Sequence, residues 1–301
     1  MRAVTYTEYG GPEVLTVTEV PEPHAVAGQI RTAVRAASVN PIDWKVREGM
    51  FGQSPIDAPR IPGADAAGVV DEVGDDVTGV SVGDEVFGLA TDGYAEFAVM
   101  RAWAGKPSDV DWAVAAGAGV AGETSVRALD LLRLRAPQSV LIAGGTGGVG
   151  TVAVQVAVQR GLTVIASGSA GNQDFLRELG AVPVPYGAGL LEAVRAAAGT
   201  DHVDGVFDVV GKTPADDLLA LVDTPSQVVS IANYGLAERG AQVTGGADAP
   251  RDPQAALGEI AALLGTGKLR IPVEVLRLDQ AAQAQARSAD GHVKGKLVLV
   301  P

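Results

Sequence analysis

Three glycines, Gly145, Gly147 and Gly150, stand at the spacing G-x-G-x-x-G, directly after the apolar run Ser139-Val140-Leu141-Ile142-Ala143-Gly144 and directly before Thr151-Val152-Ala153-Val154-Gln155-Val156-Ala157. Each position answers a different physical demand. The first permits a tight turn, the second lets backbone approach a pyrophosphate, and the third lets a helix pack closely on a strand. Thr146 lies inside the turn, and the free N–H groups of Gly148, Val149 and Gly150 would face an anion along the dipole of the following helix. The chemistry implied is the holding of a dinucleotide. A purely structural turn is the competing reading for a chain with 39 glycines. The preceding strand, the following helix and the next strand, Leu162-Thr163-Val164-Ile165-Ala166-Ser167, favour the nucleotide.

The nicotinamide cofactor can be read from the end of that next strand. NAD readers place Asp or Glu about twenty residues beyond the glycines, where the carboxylate holds the ribose hydroxyls and repels a 2′-phosphate. Here the position holds Ser167-Gly168-Ser169-Ala170-Gly171-Asn172, with no carboxylate before Asp174. Ser167, Ser169 and Asn172 can donate hydrogen bonds to a phosphate, although Asn172 could equally cap the helix that follows. No Lys or Arg lies between Arg160 and Arg177, so the charge-assisted clamp of a strongly selective NADP site is missing. NADPH is expected over NADH, with moderate discrimination. Val210, Ser230, Ile231 and Ala232 stand at carboxyl ends of later strands, where ligands of doubly wound sheets sit, and are expected to line the cofactor with backbone groups.

These residues need a scaffold, and the chain changes character to supply it. Residues 1 to about 110 read as short strands broken by turns, the pattern of a partly open β-barrel. From Trp112 onward, strands and helices alternate as in a doubly wound parallel sheet. The tail returns to strand, helix and strand. The expected division is 1–112 together with 269–301 as the barrel domain and 113–268 as the nucleotide domain, a two-domain α/β protein.

Composition narrows the function. A formal net charge of −13 disfavours nucleic acid and anionic membrane surfaces. With no cysteine, there is no thiolate catalysis and no zinc site built on sulfur. The three histidines, His24, His202 and His292, are far apart, so no metal is expected. The uncharged run Ala136 to Gln159 is long enough to be considered as a membrane span; its five glycines and interleaved Thr and Gln make it a buried strand and helix instead. No secretory signal is visible at the N-terminus, so a cytoplasmic location is expected.

Further landmarks are Ser38-Val39-Asn40-Pro41-Ile42-Asp43-Trp44-Lys45, Ile61-Pro62-Gly63-Ala64-Asp65-Ala66-Ala67-Gly68, Val82-Gly83-Asp84-Glu85-Val86-Phe87-Gly88, Gly93-Tyr94-Ala95-Glu96-Phe97 and the closing Gly291-His292-Val293-Lys294-Gly295-Lys296-Leu297-Val298-Leu299. Together with the glycine turn they resemble the zinc-independent medium-chain dehydrogenase/reductases, in particular the quinone oxidoreductase (zeta-crystallin-like) branch. The resemblance covers essentially the whole chain. It implies a GroES-like barrel domain beside a Rossmann domain, with NADPH and substrate in the cleft between them. Zinc-dependent relatives carry His-Glu where this chain has Ala64-Asp65, and Ala64 cannot coordinate a metal. Direct hydride transfer without a Lewis acid is therefore implied. A short-chain dehydrogenase would need Tyr-x-x-x-Lys, and none of the five tyrosines has Lys four residues on.

By this resemblance Asn40 and Thr124 approach the nicotinamide end, Tyr186 lies beside the adenosine phosphate, and Lys294 reaches the nicotinamide or the phosphates. Asn40 as a turn residue, Thr124 as a helix cap and Lys294 as a solvated surface lysine are the competing readings. Several relatives have tyrosines where this chain has Lys45 and Phe51. Lys45 is then the candidate electrostatic partner of a substrate oxygen, and solvent supplies protons. Ile42, Trp44, Met50 and Phe51 would form an apolar pocket wall. The expected activity is hydride transfer to a quinone or an α,β-unsaturated carbonyl by a homodimer. The alternatives are an enoyl reductase of a biosynthetic pathway and a non-catalytic NADPH-binding sensor or structural protein.

Overall fold

The computed structural model describes residues 1–245 and 252–301, and the chain divides into two compact units, Met1–Val120 with Pro253–Pro301 and Ala121–Asp252. These boundaries differ from those expected at 112/113 and 268/269. The reasons are local. The helix α2 (Trp112–Leu132) begins on the barrel, with Gly119 so close that a Cβ there would lie 2.7 Å from Asp65 Cβ. The helix α7 (Pro253–Gly265) packs on a barrel strand, where the Trp103 N–H donates to Gln254 Oε1 at 3.0 Å.

The first unit opens with β1 (Arg2–Thr5) paired to β2 (Thr16–Glu19). Its main sheet comprises β3 (Ile30–Val39), β4 (Asp65–Val73), β5 (Glu85–Thr91) and β6 (Phe97–Gly105), with β13 (Val273–Arg277) and β14 (Lys296–Val300) added from the tail. Strand β3 closes the ring. Its first half, Ile30–Ala33, pairs with both β4 and β6, while Ala37–Val39 pairs with β14. The fork is possible because β3 is ten residues long and shifts register against β4 at Arg31/Thr32 and Val34/Ala36. Val4, Ile30, Val34, Val39, Val86, Tyr94, Met100 and Leu297 fill the interior. A short helix α1 (Pro41–Arg47) follows β3, entered through a capping box in which the Asn40 N–H donates to Asp43 Oδ2 at 2.8 Å. The alternating strand pattern of the sequence does not announce this helix. Helix α8 (Ala281–Asp290) precedes β14.

The second unit is an all-parallel sheet ordered β12-β11-β10-β7-β8-β9, made of β7 (Ser139–Ala143), β8 (Thr163–Gly168), β9 (Val182–Pro185), β10 (Gly205–Asp208), β11 (Val228–Ser230) and β12 (Gln242–Val243). The connecting helices are α3 (Gly148–Gln159), α4 (Gln173–Glu178), α5 (Leu190–Ala198) and α6 (Ala215–Leu219). Val140 to Ala143 are buried without alternation, as in a strand covered on both faces. Strand order reverses between β7 and β10, which makes the carboxyl ends of these two strands the place where such sheets open to a ligand. Strand β9 closes one edge, and Pro183 and Pro185 remove N–H donors from it. No described helix is long and apolar enough to cross a membrane.

The tightest approach of the sheet is at Gly150, where a Cβ would stand 1.9 Å from the carbonyl oxygen of Gly144 and 2.8 Å from Gly145 Cα. G150A must push α3 off the turn. A loss of about 1–3 kcal/mol, seen as a lower Tm in thermal unfolding, is the expected result; an unchanged Tm would mean that the helix can slide away freely.

Candidate functional site

The turn between β7 and α3 separates its glycines by role. Gly144 has φ +103°, and a Cβ on it would lie 2.2 Å from Val210 Cγ2. Its N–H donates to Ser167 Oγ at 3.0 Å, and the Gly145 N–H donates to the Ser167 carbonyl at 2.9 Å. Both are spent inside the fold. A Cβ on Gly147, by contrast, would meet nothing within 4 Å. Gly147 caps α3, and among the described residues the N–H groups of Gly148, Val149 and Gly150 meet no protein acceptor. Open space on one side and orphaned donors on the other fit a pyrophosphate. Thr146, Gly147, Gly148 and Val149 are partly exposed, whereas Gly145 and Gly150 are buried.

At the end of β8 the structure redistributes the expected phosphate donors. Ser167 is only 2% exposed and its hydroxyl oxygen receives the Gly144 N–H, so it shapes the turn rather than presenting itself to a ligand. Asn172 Nδ2 donates to Ser169 Oγ at 3.0 Å, a polar pair in partly buried surroundings. Asn172 makes no side-chain cap to α4. Gln173 pins the segment from below by donating to the carbonyls of Gly168, Ser169 and Val184. Tyr186 stands exposed just after β9.

The ends of β10 and β11 are joined by a carboxylate that the sequence reading overlooked. Asp208 is fully buried; Ser230 Oγ donates to its Oδ2 at 2.7 Å and the Gly211 N–H to its Oδ1 at 2.9 Å. The Ser230 hydroxyl oxygen in turn receives the N–H groups of Ala232 and Asn233. Burial raises the Asp208 carboxyl above its ordinary range, against these donors. Ser230 is therefore a loop organiser with no exposed surface, while Val210, Ile231 and Ala232 remain accessible.

Thr124 lies on α2 in the same unit, 7% exposed, next to Glu123 and one turn before Arg127. Its hydroxyl oxygen receives Arg127 Nη2 at 3.3 Å. It caps no helix, since α2 runs through it.

In the barrel unit the expected residue Asn40 is 2% exposed and its amide is committed at both ends. Asn40 Oδ1 receives Lys296 Nζ at 2.6 Å, and Asn40 Nδ2 donates to Asp65 Oδ1 at 2.9 Å. Ser38 Oγ donates to the same Asp65 oxygen at 2.6 Å, and the Val120 N–H to Asp65 Oδ2 at 2.8 Å. Asp65 and Lys296 thus form a buried pair of opposite charges with an amide between them. Of the two lysines in the closing motif, the expected one, Lys294, is exposed, whereas Lys296, which the motif itself does not single out, is buried. The available signal was a lysine opening the otherwise apolar strand Lys296–Val300. Ala64 offers no ligand atom and both Asp65 oxygens are engaged, so this part of the barrel does not fit a zinc ion. Among the described residues no three His or carboxylate groups cluster closely enough to hold a metal.

Lys45 Nζ sits 5.6 Å from the Trp44 ring, and Trp44 Nε1 donates to Ser288 Oγ at 3.3 Å. Trp44 is thereby tied to α8. Ile42, Met50 and Phe51 are 39%, 61% and 54% exposed, so they are not core residues. His24 and His202 pair with Glu72 and Asp223 at the surface.

Residues 26–126 match the alcohol dehydrogenase GroES-like domain family, and residues 179–299 match the zinc-binding dehydrogenase family. The quinone oxidoreductase of Rattus norvegicus is 33% identical over 247 residues, covering 79% of this chain and 75% of that protein. The chloroplastic NADPH-dependent alkenal/one oxidoreductase of Arabidopsis thaliana is 32% identical over 247 residues, covering 77% of this chain and 62% of that one. Among solved structures, a mycobacterial protein complexed with NADPH superposes with a TM-score of 0.86 at 27% identity over 100% of both chains.

The barrel network carries a pH signature. Burial pushes the Asp43 carboxyl up to about 7, aided by Asp65 and opposed by the Asn40 N–H, the Tyr94 hydroxyl (2.8 Å) and Lys296. An unfolded chain releases this proton near pH 4, at the ordinary value of about 3.9. The folded state therefore binds more protons between about pH 4 and about pH 7, and Asp43 makes stability fall as pH rises through that window. Thermal unfolding across that range should show a smaller decline for D43N than for the parent chain; parallel curves would refute the assignment.

Proposed function

We propose that this chain, which belongs to the zinc-independent medium-chain dehydrogenase/reductases in their quinone oxidoreductase branch, is an NADPH-dependent reductase of quinones or α,β-unsaturated carbonyls. Its fold is a pyridine-nucleotide-binding one. The observation that carries the reading is the glycine turn, open at Gly147 and lined with unpaired N–H groups at the switch point of the parallel sheet. The names of the relatives support the substrate class, and the NADPH in the mycobacterial structure supports the cofactor.

NADPH supplies the hydride when bound. Gly148, Val149 and Gly150 would hold its pyrophosphate with backbone donors, within the stretch Gly144 to Gly150 that forms the turn. Ser169, Asn172 and Tyr186 would take the adenosine phosphate, and Ser167 would act behind them by shaping the turn. Val210, Ile231 and Ala232 would line the cofactor with loops that Asp208 and Ser230 hold in place. Thr124 would orient the nicotinamide end. The Asn40 amide is engaged by Lys296 and Asp65, so Asn40 serves this reading by anchoring the entry to α1. Lys45 is the candidate partner of the substrate oxygen, Ile42, Met50 and Phe51 are apolar surface for an aromatic acceptor, and the exposed Lys294 is the candidate cation for the nicotinamide or the phosphates. No metal enters the proposal, because Ala64 and the engaged Asp65 cannot serve one. The same reading expects a cytoplasmic homodimer, formed through the outer edge of β12, beside which no further strand lies among the described residues.

Loss of NADPH absorbance against a panel of small quinones and enones is the direct test. Acceptor-dependent oxidation is expected, with NADPH favoured over NADH. S169D, which places a carboxylate after β8, should shift the ratio of kcat/KM values toward NADH on the order of tenfold. Equal efficiency of the parent chain with both cofactors would overturn the NADPH assignment, and NADPH binding with no oxidation by any acceptor would overturn the reductase.

A further inference from the structure

Arg127 and Glu123 form an ion pair inside α2 that no step above uses, and both are only 5% exposed. Arg127 Nε donates to Glu123 Oε1 at 2.8 Å and Nη2 donates to Glu123 Oε2 at 3.2 Å, a forked contact that neutralises the guanidinium. Two further donors go to hydroxyl oxygens, Nη1 to Thr244 Oγ1 at 2.6 Å and Nη2 to Thr124 Oγ1 at 3.3 Å. Thr244 follows β12, is 3% exposed, and its N–H donates to the Ser230 carbonyl at 3.1 Å. One guanidinium therefore ties Thr124 to the carboxyl end of β11, where Ser230 and Ala232 lie.

Such a pair is a poor way to gain stability. Removing two charges from water costs several kcal/mol per ion, and apolar residues of equal volume often serve the fold as well or better. What the guanidinium does is directional. A hydroxyl both donates and accepts, whereas a guanidinium only donates. With Nη2–H on a lone pair of Thr124 Oγ1, the threonine proton must point elsewhere. Within the protein Thr124 Oγ1 donates to Glu123 Oε2 only at 3.5 Å, too long for a strong O–H···O bond, and that oxygen already receives Arg127 Nη2 at 3.2 Å, so the contact holds the proton weakly.

We infer that Arg127, neutralised by Glu123, is a positioning residue that fixes the Thr124 hydroxyl as a hydrogen-bond donor toward an acceptor at the nicotinamide end of the cofactor. The inference rests on the placement of Thr124 at that end. Arg127 itself touches no ligand in this scheme; it acts through Thr124.

Calorimetry on the cofactor-free chain separates this role from a structural one, using NADPH and 2′,5′-ADP, which lacks the nicotinamide. E123Q/R127M removes both charges together, so no buried charge is stranded, and R127K keeps the charge but loses the fork. E123Q/R127M should weaken NADPH about five- to tenfold, the worth of one hydrogen bond, and leave 2′,5′-ADP unchanged. R127K should fall between, which keeps the idea testable if the double variant does not fold. In a T124V background the same changes should have no further effect. Equal weakening of both ligands would show a structural role and overturn the inference. Additive losses with T124V would show that Arg127 does not act through Thr124. If T124V alone leaves the ratio of the two affinities unchanged, the placement of Thr124 is what fails, and the inference with it.

Discussion

The close approach of Gly150 to the Gly144 carbonyl governs the nucleotide unit. Because no side chain intervenes, α3 starts directly on the end of β7 and its first N–H groups are delivered to the switch point of the sheet. Gly144, pressed against Val210, locks the turn from the other side, and Ser167 completes it by receiving the Gly144 N–H. The donors of Gly144 and Gly145 are consumed in building the turn so that those of Gly148, Val149 and Gly150 can stay unpaired. Preorganisation of this kind means that an anion meets donors already aimed, with no loop to order on binding.

The same division between supporting and presented groups recurs wherever polar side chains are buried. Asp208 and Ser230 are sealed, and the loops they hold display Val210, Ile231 and Ala232. Gln173 is spent on three carbonyls beneath Ser169 and Asn172. In the barrel, Asp65, Asn40 and Lys296 form a buried chain of charge, amide and charge at the entry to α1. Burial lowers the Lys296 ammonium and raises the Asp65 carboxyl, and each opposes the shift of the other. A carboxylate so fully supplied with donors serves to hold backbone in place.

The chemistry that follows is austere. With no cysteine in the chain and no cluster of three potential metal ligands among the described residues, the reading leaves to the protein the tasks of binding, orientation and electrostatics, and leaves the reducing power to the cofactor. Quinones and conjugated carbonyls suit this arrangement, because water can protonate the reduced oxygens of a quinone and the α-carbon of the enolate left by hydride addition to an enone.

The residue order alone determined much of this. The glycine spacing, the uninterrupted apolar strands and the landmark motifs identify the α/β architecture, the strand, glycine turn and helix, and the family, since each is a local pattern whose physical demand is met by neighbours in the chain. Tertiary structure decided which polar groups are spent and which are free, because hydrogen-bond partners come from distant segments. Asn40 is committed by Lys296 and Asp65, 256 and 25 residues away, and Ser167 by a glycine 23 residues earlier. Lys294 and Lys296 look alike in the sequence, yet only the position at the start of β14 turns one of them into the barrel and leaves the other in solvent. Arg127 reads as an ordinary helix charge until β12 brings Thr244 against it across 117 residues. The pattern of burial, which no single segment contains, assigned these roles.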